Sequence, residues 1–569
     1  MRYHALACDY DGTLASGGVV AETTCRALER LRSSGRRLVL VTGRMLDDLL
    51  AIFPQAARFD RIVAENGGVL HRPDTRETRA RGNAPDARLV AALRERGVTP
   101  LAVGQVVVAT WEPWESRVLE AIRERGLELQ VIFNKGAVMI LPAGVNKQSG
   151  LEAALGELDI SLRNTVGIGD AENDHAFLSA CECSVAVANA LPTVKERADW
   201  TTKGDHGAGV EELIDRLLES DLRELEPGLL RHQIPLGSTA DGRTLALPGH
   251  GASALIAGSS GSGKSTFATG LLERLRDRGA QLLVIDPEGD YQEIAGLTAM
   301  GSRERPPDTE ELIGFLGPPA QNAAVNLLGL PVESRPGFFA KLWPRIQELR
   351  RKSGRPHWVL VDEAHHLVPR ERDPARVAGA GDDGNVLWVT VHPDHLARSV
   401  AQACGHVVAI GKNPREVLAG VAAARGTRAP ELSHAPLERG EAVLWLPDRA
   451  EPPLRFRSLP TRAERRRHVR KYAQGELAEE QSFYFRGPEG KLKLRASNLM
   501  LFLQLADGVD DDTWLHHLRR GEYSRWFRDS IKDDELADEA AVAERPGGDA
   551  TRSRAQIRAA IESRYTLPA

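Results

Sequence analysis

A glycine-rich segment in the middle of the chain constrains the fold more than any other feature. It reads GSSGSGKST at residues 258–266, follows the apolar run ALIA, and precedes a segment of helical character. The spacing Gly-x-x-x-x-Gly-Lys-Ser is typical of a loop between a strand and a helix. In such a loop, backbone N–H groups surround phosphate oxygens and the helix N-terminus adds a favourable dipole. The sequence therefore predicts an α/β domain that binds a nucleoside triphosphate.

Individual positions of this loop have expected roles in binding ATP. Lys264 would reach the β- and γ-phosphates, and Ser265 would bind magnesium. Downstream, the apolar run HWVLV ends in Asp362 and Glu363; Asp362 suits the magnesium shell, and Glu363 suits polarising the attacking water. Adjacent acids can also be a chance helix start, which the upstream loop disfavours. The predicted ATP-binding residues are Gly258, Ser259, Ser260, Gly261, Ser262, Gly263, Lys264, Ser265 and Thr266.

A second kind of phosphate chemistry is indicated at the start of the chain. The run CDYDGTL places Asp9 and Asp11 after a strand-like segment, where open α/β sheets carry their sites. Two carboxylates at this spacing could share a metal ion while one attacks phosphorus. A solvated turn could contain the same pair, so the pattern alone is weak. Further polar residues follow later strands or lie between them and support a site: Thr42, Lys147, Asp170 and Asp174.

This ordered set resembles the four motifs of the haloacid dehalogenase superfamily of phosphohydrolases, over residues 1 to about 222. The resemblance implies a Rossmann-like α/β fold in which Asp9 forms an aspartyl-phosphate and Asp11 is the general acid/base. Because no motif residue is missing, an active enzyme is favoured over a retained scaffold. The implied phosphate-binding residues are Thr42, Gly43, Lys147 and Asn173, the last of which would orient neighbouring groups. The implied Mg²⁺ site consists of Asp9, Asp11 (through its backbone), Asp170 and Asp174.

The substrate of such an enzyme depends on a cap domain. The run VAENGGVL at 63–70 is typical of the branch whose cap is inserted between the second and third motifs. That branch includes phosphoglycolate and sugar-phosphate phosphatases, which implies a small phosphorylated substrate. The cap would span about 72–146. Its Trp111 and Trp114 could stack on a sugar or base, but packing of the cap's sheet against its helices is the favoured interpretation.

The central region, 228–458, has a resemblance of its own. The runs IPLGSTADGRTLAL, VIDPEGDY and VDEAH resemble the HerA/FtsK group of ATPases, over about 228–450. The group often carries a polar sensor on the next strand, where Thr390 and His392 lie here; His392 could equally be a structural histidine. There is no room for the small β-barrel that precedes the ATPase core in full HerA proteins. This difference weakens the inference of DNA translocation and leaves ATP binding unaffected.

The same resemblance implies a closed homo-oligomer, most plausibly a hexamer with nucleotide at the subunit interfaces. There, an arginine from a neighbouring subunit would stabilise charge on the γ-phosphate. The candidates are Arg398 and Arg415, although Arg398 could equally cap a helix or pair with an acid.

Composition limits the partners of the chain. Its 569 residues suggest about three domains, and a net charge of −5 gives no overall attraction to nucleic acid. A local contact is possible at the basic run 462–472, within a connector at 459–480, although such runs are usually just solvated. No stretch approaches the ~20 apolar residues of a membrane span. With five cysteines at neither zinc nor redox spacing, we expect a reducing cytoplasm.

The C-terminal segment, 481–569, predicts a small helical domain, because Leu, Trp and Phe recur at helical spacing. His516 and His517 could bind a metal but have no partners at ligand spacing, so a structural role is favoured.

Together these patterns predict three parts: a phosphohydrolase with an inserted α+β cap, an α/β ATPase and a helical C-terminal domain. The expected function is Mg²⁺-dependent hydrolysis of a phosphomonoester combined with ATP hydrolysis. The alternative is an ATP-driven nucleic-acid-processing protein whose first domain acts on nucleotides or nucleic-acid ends. A nucleotide-sensing module with slow turnover is a third possibility.

Overall fold

A computed structural model divides the chain into two compact units. The first comprises Met1–Gly258 and Arg274–Ser458, and the second comprises Ser259–Glu273 and Leu459–Ala569. Within the described residues, no helix is long and apolar enough to cross a membrane. The structure describes residues 1–292, 294–372, 385–432, 436–462, 472–473, 475, 477, 479–531, 533–545 and 549–565.

The N-terminal region of the first unit is built on an eight-stranded sheet with a four-stranded cap sheet inserted. Its strands are β1 (Ala5–Asp9), β2 (Arg37–Val41), β3 (Arg61–Ala64), β4 (Val69–Arg72), β5 (Glu77–Ala80), β6 (Ala102–Val103), β7 (Val108–Trp111), β8 (Leu129–Asn134), β9 (Ala137–Pro142), β10 (Thr165–Gly169), β11 (Cys183–Ala186) and β12 (Trp200–Thr201). Its helices are α1 (Glu22–Ser33), α2 (Leu46–Ile52), α3 (Ala87–Glu95), α4 (Glu115–Glu124), α5 (Lys147–Glu157), α6 (His175–Ala180), α7 (Pro192–Arg197) and α8 (His206–Ser220).

The order of the main sheet is β12-β11-β10-β1-β2-β3-β4-β5. β1 lies at its centre, parallel to both β10 and β2. Every residue of β1 is buried, which explains its continuous apolar sequence before the terminal aspartate, because a central parallel strand is covered on both faces. The carboxyl ends of β1, β2 and β10 therefore meet at one edge of the sheet.

The cap is an antiparallel sheet of order β6-β7-β9-β8 with α3 and α4 packed against it through a small core that includes Leu89 and Val118. The elements of the cap run from Ala87 to Pro142, whereas β5 pairs with β4 in the main sheet. Trp114 donates its indole N–H to the carbonyl of Thr99 at 2.7 Å. Trp111 is 52% exposed, so the packing interpretation is wrong for this residue.

The central region forms an eleven-stranded sheet. Its strands are β13 (Ile234–Ser238), β14 (Thr244–Leu247), β15 (Ser253–Gly258), β16 (Leu282–Asp286), β17 (Thr298–Met300), β18 (Ala323–Asn326), β19 (Trp358–Val361), β20 (Asn385–Thr390), β21 (His406–Ile410), β22 (Glu441–Trp445) and β23 (Leu454–Ser458). Its helices are α9 (Lys264–Asp277), α10 (Thr309–Phe315), α11 (Arg335–Ser353), α12 (Arg398–Ala403) and α13 (Pro414–Arg425); the part of α9 up to Glu273 belongs to the second unit.

The parallel core of this sheet runs β21-β15-β20-β19-β16-β18-β17, and the antiparallel strands β22, β23, β13 and β14 extend it on the β21 side. Phe339 and Trp343 of α11 pack with Trp388 of β20; the Trp343 and Trp388 ring centroids are 5.9 Å apart. The fold is a parallel α/β sheet with crossover helices, as the sequence predicts.

The two sheets of the first unit meet through the amino ends of their strands. His357, which precedes β19, lies 3.0 Å through Nε2 from Oδ1 of Asn164, which precedes β10. Arg355 donates to the carbonyl of Asp159 at 2.7 Å. The carboxyl ends of β1 and β19 therefore lie away from this seam.

The C-terminal part of the second unit contains a hairpin, β24 (Phe483–Phe485) and β25 (Leu494–Ala496), which the sequence did not predict. Its helices are α14 (Leu499–Gly508), α15 (Asp511–Arg519), α16 (Glu522–Trp526), a π-helix (Phe527–Ile531), α17 (Asp534–Ala543) and α18 (Ala550–Tyr565). Phe502 lies in an aromatic core with Phe483 and Tyr523.

His517 has a structural role in this core. Its Nε2 accepts the N–H of Arg486 at 3.0 Å, and its Nδ1 lies 2.5 Å from Glu522. Most of the basic run 462–472, and much of the connector at 459–480, fall outside the described residues.

Candidate active sites

Three aspartates from two strand ends form a buried cluster in the N-terminal region. Asp9 ends β1, and Asp170 and Asp174 follow β10. One carboxylate oxygen of each lies within 4.8 Å of the others, and all three residues are buried. Because β1 and β10 are parallel neighbours, their carboxyl ends bring these side chains together, as expected for an open α/β sheet.

Lys147, at the start of α5, supplies a counter-charge to this cluster. Its Nζ donates to Oδ1 of Asp9 at 2.5 Å and to Oδ1 of Asp174 at 2.6 Å. Burial would lower the pKa of Lys147, but the Asp174 and Asp9 carboxylates outweigh it and raise that pKa. Burial and the nearby Asp174 carboxylate raise the pKa of Asp9. Lys147 and, from the cap, Lys135 bring two ammonium groups to the three carboxylates, so the cluster retains one formal negative charge.

That excess fits a divalent cation. Oxygen ligands from carboxylates are what Mg²⁺ prefers, and the side chain of Asp174 is held in place because its Oδ2 accepts the N–H groups of Asp170 and Ala171 at 2.9 and 3.0 Å. Asp170 in turn accepts the hydroxyl of Thr13 at 3.1 Å. The donor set therefore suits magnesium.

Asp11 is held differently from the other acids. Its carboxylate receives a bidentate pair from Arg44, with both N–O distances 2.7 Å. The guanidinium of Arg44 also lies over the ring of Tyr10, 5.5 Å from its centroid. The side chain of Asp11 is thus outside the aspartate triad, and Arg44 is a site residue that sequence reasoning missed, although it directly follows the predicted Thr42 and Gly43.

The remaining predicted phosphate-binding residues border this cluster. Thr42 is fully buried, and its hydroxyl accepts the N–H of Arg44 at 3.1 Å. Asn173 donates to the side-chain oxygen of Asn66 at 3.1 Å. Gly43 lies near both Met139 and Asn173, since a Cβ built at Gly43 would be 3.4 Å from the Met139 sulfur and 3.7 Å from the Asn173 amide nitrogen. These residues therefore lie where the cap approaches the triad.

The run VAENGGVL fastens the cap. Glu65, at a positive φ of 51°, accepts the N–H groups of Gln105, Val106 and Val107 at 3.0, 2.8 and 3.0 Å. A carboxylate that accepts three backbone hydrogen bonds fixes the chain it holds. The segment that leads into β7 of the cap is thereby attached to the connection between β3 and β4 of the main sheet.

Lys135 extends from the cap into the site. It lies in the tight turn between β8 and β9 at a positive φ of 48°, and its ammonium donates to Asp170. Burial would lower the pKa of Lys135, but the hydrogen bond to Asp170 raises it. Lys135 is a site residue that the sequence did not predict, although the run FNKGAV indicates a turn between two apolar segments.

The acids of the central region follow β16 and β19. Asp286 accepts the N–H groups of Asp290 and Tyr291 at 3.0 and 2.7 Å. Burial, together with the carboxylates of Glu363 and Asp286, raises the pKa of Asp362 to about 8. Glu363 adopts a left-handed backbone with φ 41°, a conformation that costs energy in a non-glycine residue and is concentrated at functional sites.

The predicted sensor position lies beside these acids. The hydroxyl of Thr390 is 3.1 Å from Nδ1 of His365 and accepts the N–H of His392 at 3.1 Å. The rings of His365 and His392 are 5.2 Å apart. The end of β20 is therefore connected to the segment that carries Asp362 and Glu363.

Two glycines of the glycine-rich loop adopt a left-handed backbone. Gly261 and Gly263 adopt φ of 72° and 95°, which glycine permits without a steric penalty. The buried Lys264 begins α9, and its Nζ donates to the carbonyl of Ser259 at 2.9 Å. The loop thus presents a lysine and a helix N-terminus, the two features that bind phosphate.

The predicted arginine donors lie on α12 and α13. Arg398 is exposed at the start of α12, and a Cβ built at Gly426 would lie 2.6 Å from its guanidinium. Gly426 is the left-handed residue at which α13 ends. This position favours helix capping, one of the two roles open to Arg398, because a cation is stabilised at a helix C-terminus.

Comparisons with known proteins match both regions. The family model described as haloacid dehalogenase-like hydrolase matches residues 6–89 and 114–214, and the model described as the central domain of helicase HerA matches residues 251–324. A phosphoglycolate phosphatase of Methanothermobacter thermautotrophicus is 32% identical over 223 residues, covering 38% of this chain and 98% of the relative.

Two further matches are a curated protein and a solved structure. A phosphoglycolate phosphatase of Halorubrum lacusprofundi is 34% identical over 206 residues, covering 34% of this chain and 88% of the relative. A haloacid dehalogenase-like hydrolase structure from Bacteroides thetaiotaomicron is 21% identical, covers 38% of this chain and 99% of that one, and has a TM-score of 0.34.

Proposed function

The chain belongs to the haloacid dehalogenase-like hydrolases through its N-terminal region and carries a HerA-type domain after it, and we propose that the N-terminal region hydrolyses a small phosphomonoester through an aspartyl-phosphate on Asp9. The observation that carries this proposal is the buried triad of Asp9, Asp170 and Asp174 with Lys147 bridging two of its members. The proposed boundaries of this domain are 1–222, with the cap within 72–146.

The residues of the site divide the reaction into two displacements. In the first, a carboxylate oxygen of Asp9 attacks phosphorus, the ester P–O bond breaks, and Asp11 gives a proton to the leaving oxygen. In the second, Asp11 takes a proton from water, which attacks phosphorus and releases Asp9. Asp11 must therefore exchange its contact with Arg44 for one with the substrate.

Charge stabilisation comes from the surrounding groups. The ammonium of Lys147 neutralises charge on the transferring phosphoryl group, with the hydroxyl of Thr42 and the amide of Asn173 beside it. Mg²⁺ bound by Asp9, Asp170 and Asp174 would supply further neutralisation of the phosphate oxygens. A carboxylate nucleophile buried without such cations would repel the anionic substrate.

We infer that the substrate carries a second anionic group close to its phosphate, as 2-phosphoglycolate does. The curated relatives at 32% and 34% identity are named as phosphoglycolate phosphatases, and Lys135 places a cap ammonium at the triad. With Mg²⁺ bound to Asp170, Lys135 would be available to pair with a substrate carboxylate.

The test is phosphate release from 2-phosphoglycolate, sugar phosphates and nucleotides, in the native protein and in Lys135→Met. We expect 2-phosphoglycolate to have the highest kcat/KM, and Lys135→Met to lower that value by about 10- to 100-fold, the equivalent of one charge-assisted hydrogen bond. Substrates without a second anionic group should change less. The exposed Lys203 provides a matched control, Lys203→Met. Equal losses on all substrates would contradict the assigned role of Lys135.

We also propose that the central region, 228–458, hydrolyses ATP using the loop from Gly258 to Thr266. Lys264 would contact the β- and γ-phosphates, Ser265 and Asp362 would hold Mg²⁺, and Glu363 would polarise the attacking water. The strained backbone of Glu363 and the raised pKa of Asp362 support this assignment, because such features cluster at functional sites.

A closed hexamer is the assembly proposed for the ATP-bound state, with Arg415 or Arg398 acting on a neighbouring subunit. Light scattering of Glu363→Gln with ATP and Mg²⁺ tests it. A mass near six chains is expected, and a mass of one chain, 62.1 kDa, would exclude the ring.

The proposed location is the cytoplasm. All five cysteines are buried free thiols, which suits a reducing compartment.

A further inference from the structure

A cavity of about 170 Å³ lies at the seam between the two sheets of the first unit. Arg2, Arg163 and Glu182 line it from the phosphatase region, and Arg278 and Arg351 line it from the ATPase region. At about 30 Å³ per water molecule, the volume corresponds to roughly five or six waters. It is therefore large enough for orthophosphate or a short phosphorylated acid and smaller than the ~300 Å³ at which pockets for drug-sized ligands begin.

The charge of the lining favours an anion. Among the described residues, six arginines line the cavity, against three carboxylates. Burial lowers the pKa of His232 to about 4 and the pKa values of His250 and His357 to about 3, so these three imidazoles add no charge at pH 7. The arginines are Arg2, Arg163, Arg223, Arg278, Arg350 and Arg351, and the carboxylates are Glu182, Asp221 and Glu226.

The carboxylates are paired with arginines on the phosphatase side. Glu182 contacts Arg2 at 2.6 Å and Arg163 at 2.9 Å, and Glu226 contacts Arg2 at 3.2 Å. On the ATPase side, neither Arg278 nor Arg351 has a carboxylate partner within the described residues; Arg278 donates to the backbone carbonyl of Arg274 at 3.2 Å. The surplus positive charge is therefore concentrated on the ATPase wall.

Asp221 does not neutralise that wall either. Its carboxylate pairs with Arg36 at 2.9 Å, a residue that does not line the cavity. All three acids are thus held by arginines of the phosphatase region, and none of them pairs with Arg278 or Arg351 on the opposite wall.

His232 adds a hydrogen-bond donor to the lining. Its Nδ1 lies 2.6 Å from the guanidinium of Arg163. Because a guanidinium can only donate, Nδ1 accepts and the neutral ring carries its proton on Nε2. This buried Nε2 has no partner among the described residues. A ligand that only accepts hydrogen bonds, such as a phosphate, matches a lining dominated by donors.

The cavity also adjoins a continuous chain of hydrogen bonds between the two sheets. The N–H of Gln281, just before β16, donates to Nδ1 of His357 at 2.7 Å, so Nε2–H of His357 donates to Asn164 at 3.0 Å. Asn164 then donates to the carbonyl of Arg2 at 2.9 Å. His357, Asn164 and Arg2 all line the cavity, so a ligand there would contact both ends of this connection.

We propose that the seam cavity is a binding site for a small phosphate-bearing anion, which joins the phosphatase wall to the guanidinium groups of Arg278 and Arg351. Two sources share this chemistry: orthophosphate, which both proposed reactions release, and a short phosphomonoester. An anion bound in the cavity stabilises the seam. Because its occupancy follows the concentration of phosphate in solution, both regions respond to that concentration.

The test is calorimetric titration of the full chain with orthophosphate and, separately, with 2-phosphoglycolate. Asp9→Asn and Lys264→Ala are introduced together, and Mg²⁺ is omitted, so that the two proposed catalytic sites contribute little. In this background, Arg278→Gln with Arg351→Gln is expected to weaken binding at least tenfold. The matched control is Arg243→Gln, an exposed arginine of the same region that does not line the cavity; it should change binding by less than twofold.

The outcomes separate the possibilities. Tighter binding of orthophosphate identifies a product sensor, and tighter binding of 2-phosphoglycolate identifies a substrate sensor. Binding that is absent, or that the two arginine substitutions leave unchanged, overturns the proposal. If the double substitution prevents folding, anion binding is measured with the single substitution Arg351→Gln, at an exposed residue. Hydrogen exchange of residues 278–281 and 354–358 is a second measurement. Because binding rather than turnover is measured, the presence or loss of anion binding is decided without the proposed activities; only the distinction between product and substrate rests on them.

Discussion

The two acidic sites of the first unit balance their charge in different ways. In the phosphatase region, the buried ammonium of Lys147 lies 2.5 and 2.6 Å from two carboxylates. In the central region, Asp362 is 4% exposed, and burial with the carboxylates of Glu363 and Asp286 raises its pKa to about 8. No cationic side chain pairs with Asp362 in the described part of the chain. The acids of the first site are therefore neutralised in part by lysines, whereas Asp362 has no such counter-charge among the described residues.

The largest expected effect separates the two sites. Asp9→Asn should lower phosphatase kcat by about 10⁴-fold or more, because it removes the nucleophile of a covalent mechanism. ATP hydrolysis should stay within twofold of the native rate, since Asp9 ends a strand whose other end faces the seam. Parallel phosphatase and ATPase assays on one preparation measure both. Equal loss of the two activities would contradict separate sites.

The next prediction tests the difference in charge balance between the Asp9 site and the Asp362 site. Lys147→Met should lower the free energy of unfolding by about 3–5 kcal/mol, because it leaves buried carboxylates without their partner. Asp362→Asn should instead raise the stability of the nucleotide-free protein by roughly 1–3 kcal/mol, because it removes a buried group that resists ionisation. Urea unfolding without Mg²⁺ measures both values. Destabilisation by Asp362→Asn would show that this carboxylate has a counter-charge after all.

A smaller effect tests the ATPase site itself. Glu363→Gln should reduce ATP turnover by about 100-fold and retain nucleotide binding, because the amide cannot polarise the attacking water. Lys264→Ala should reduce both binding and turnover. Phosphatase activity should be unchanged in each variant, which serves as the internal control. An unchanged ATPase rate in both variants would refute the site assignment.

Much of the phosphatase site could be predicted from sequence because its residues follow apolar strands, and parallel strands bring their carboxyl ends together. That reasoning found Asp9, Asp170 and Asp174. It did not find Lys135, because the cap turn meets the triad only in three dimensions. It also did not find the Arg44 contact with Asp11, since a single arginine after a strand has no distinctive spacing.

The fold classes followed from the same apolar periodicity, whereas the seam did not. Nothing in the segment around His357 distinguishes a residue that contacts Asn164 from an ordinary histidine before a strand. The interpretation of Trp111 as a packing residue was wrong because alternation along a strand does not say whether a helix covers a given face. The local sequence pattern predicts helices and strands, whereas contacts between distant helices and strands can be identified only in the tertiary structure.

Because the two sheets meet through the amino ends of their strands, the acids at the carboxyl ends lie far from each other. Asp9 is four residues beyond Ala5, and Asp362 is four residues beyond Trp358. Each acid therefore lies about 13 Å from the seam, measured along its strand. The carboxylates of Asp9 and Asp362 therefore lie on opposite sides of the seam, each at the end of its strand that faces away from the other region. A reactant held beside one of these acids would be out of direct reach of the other.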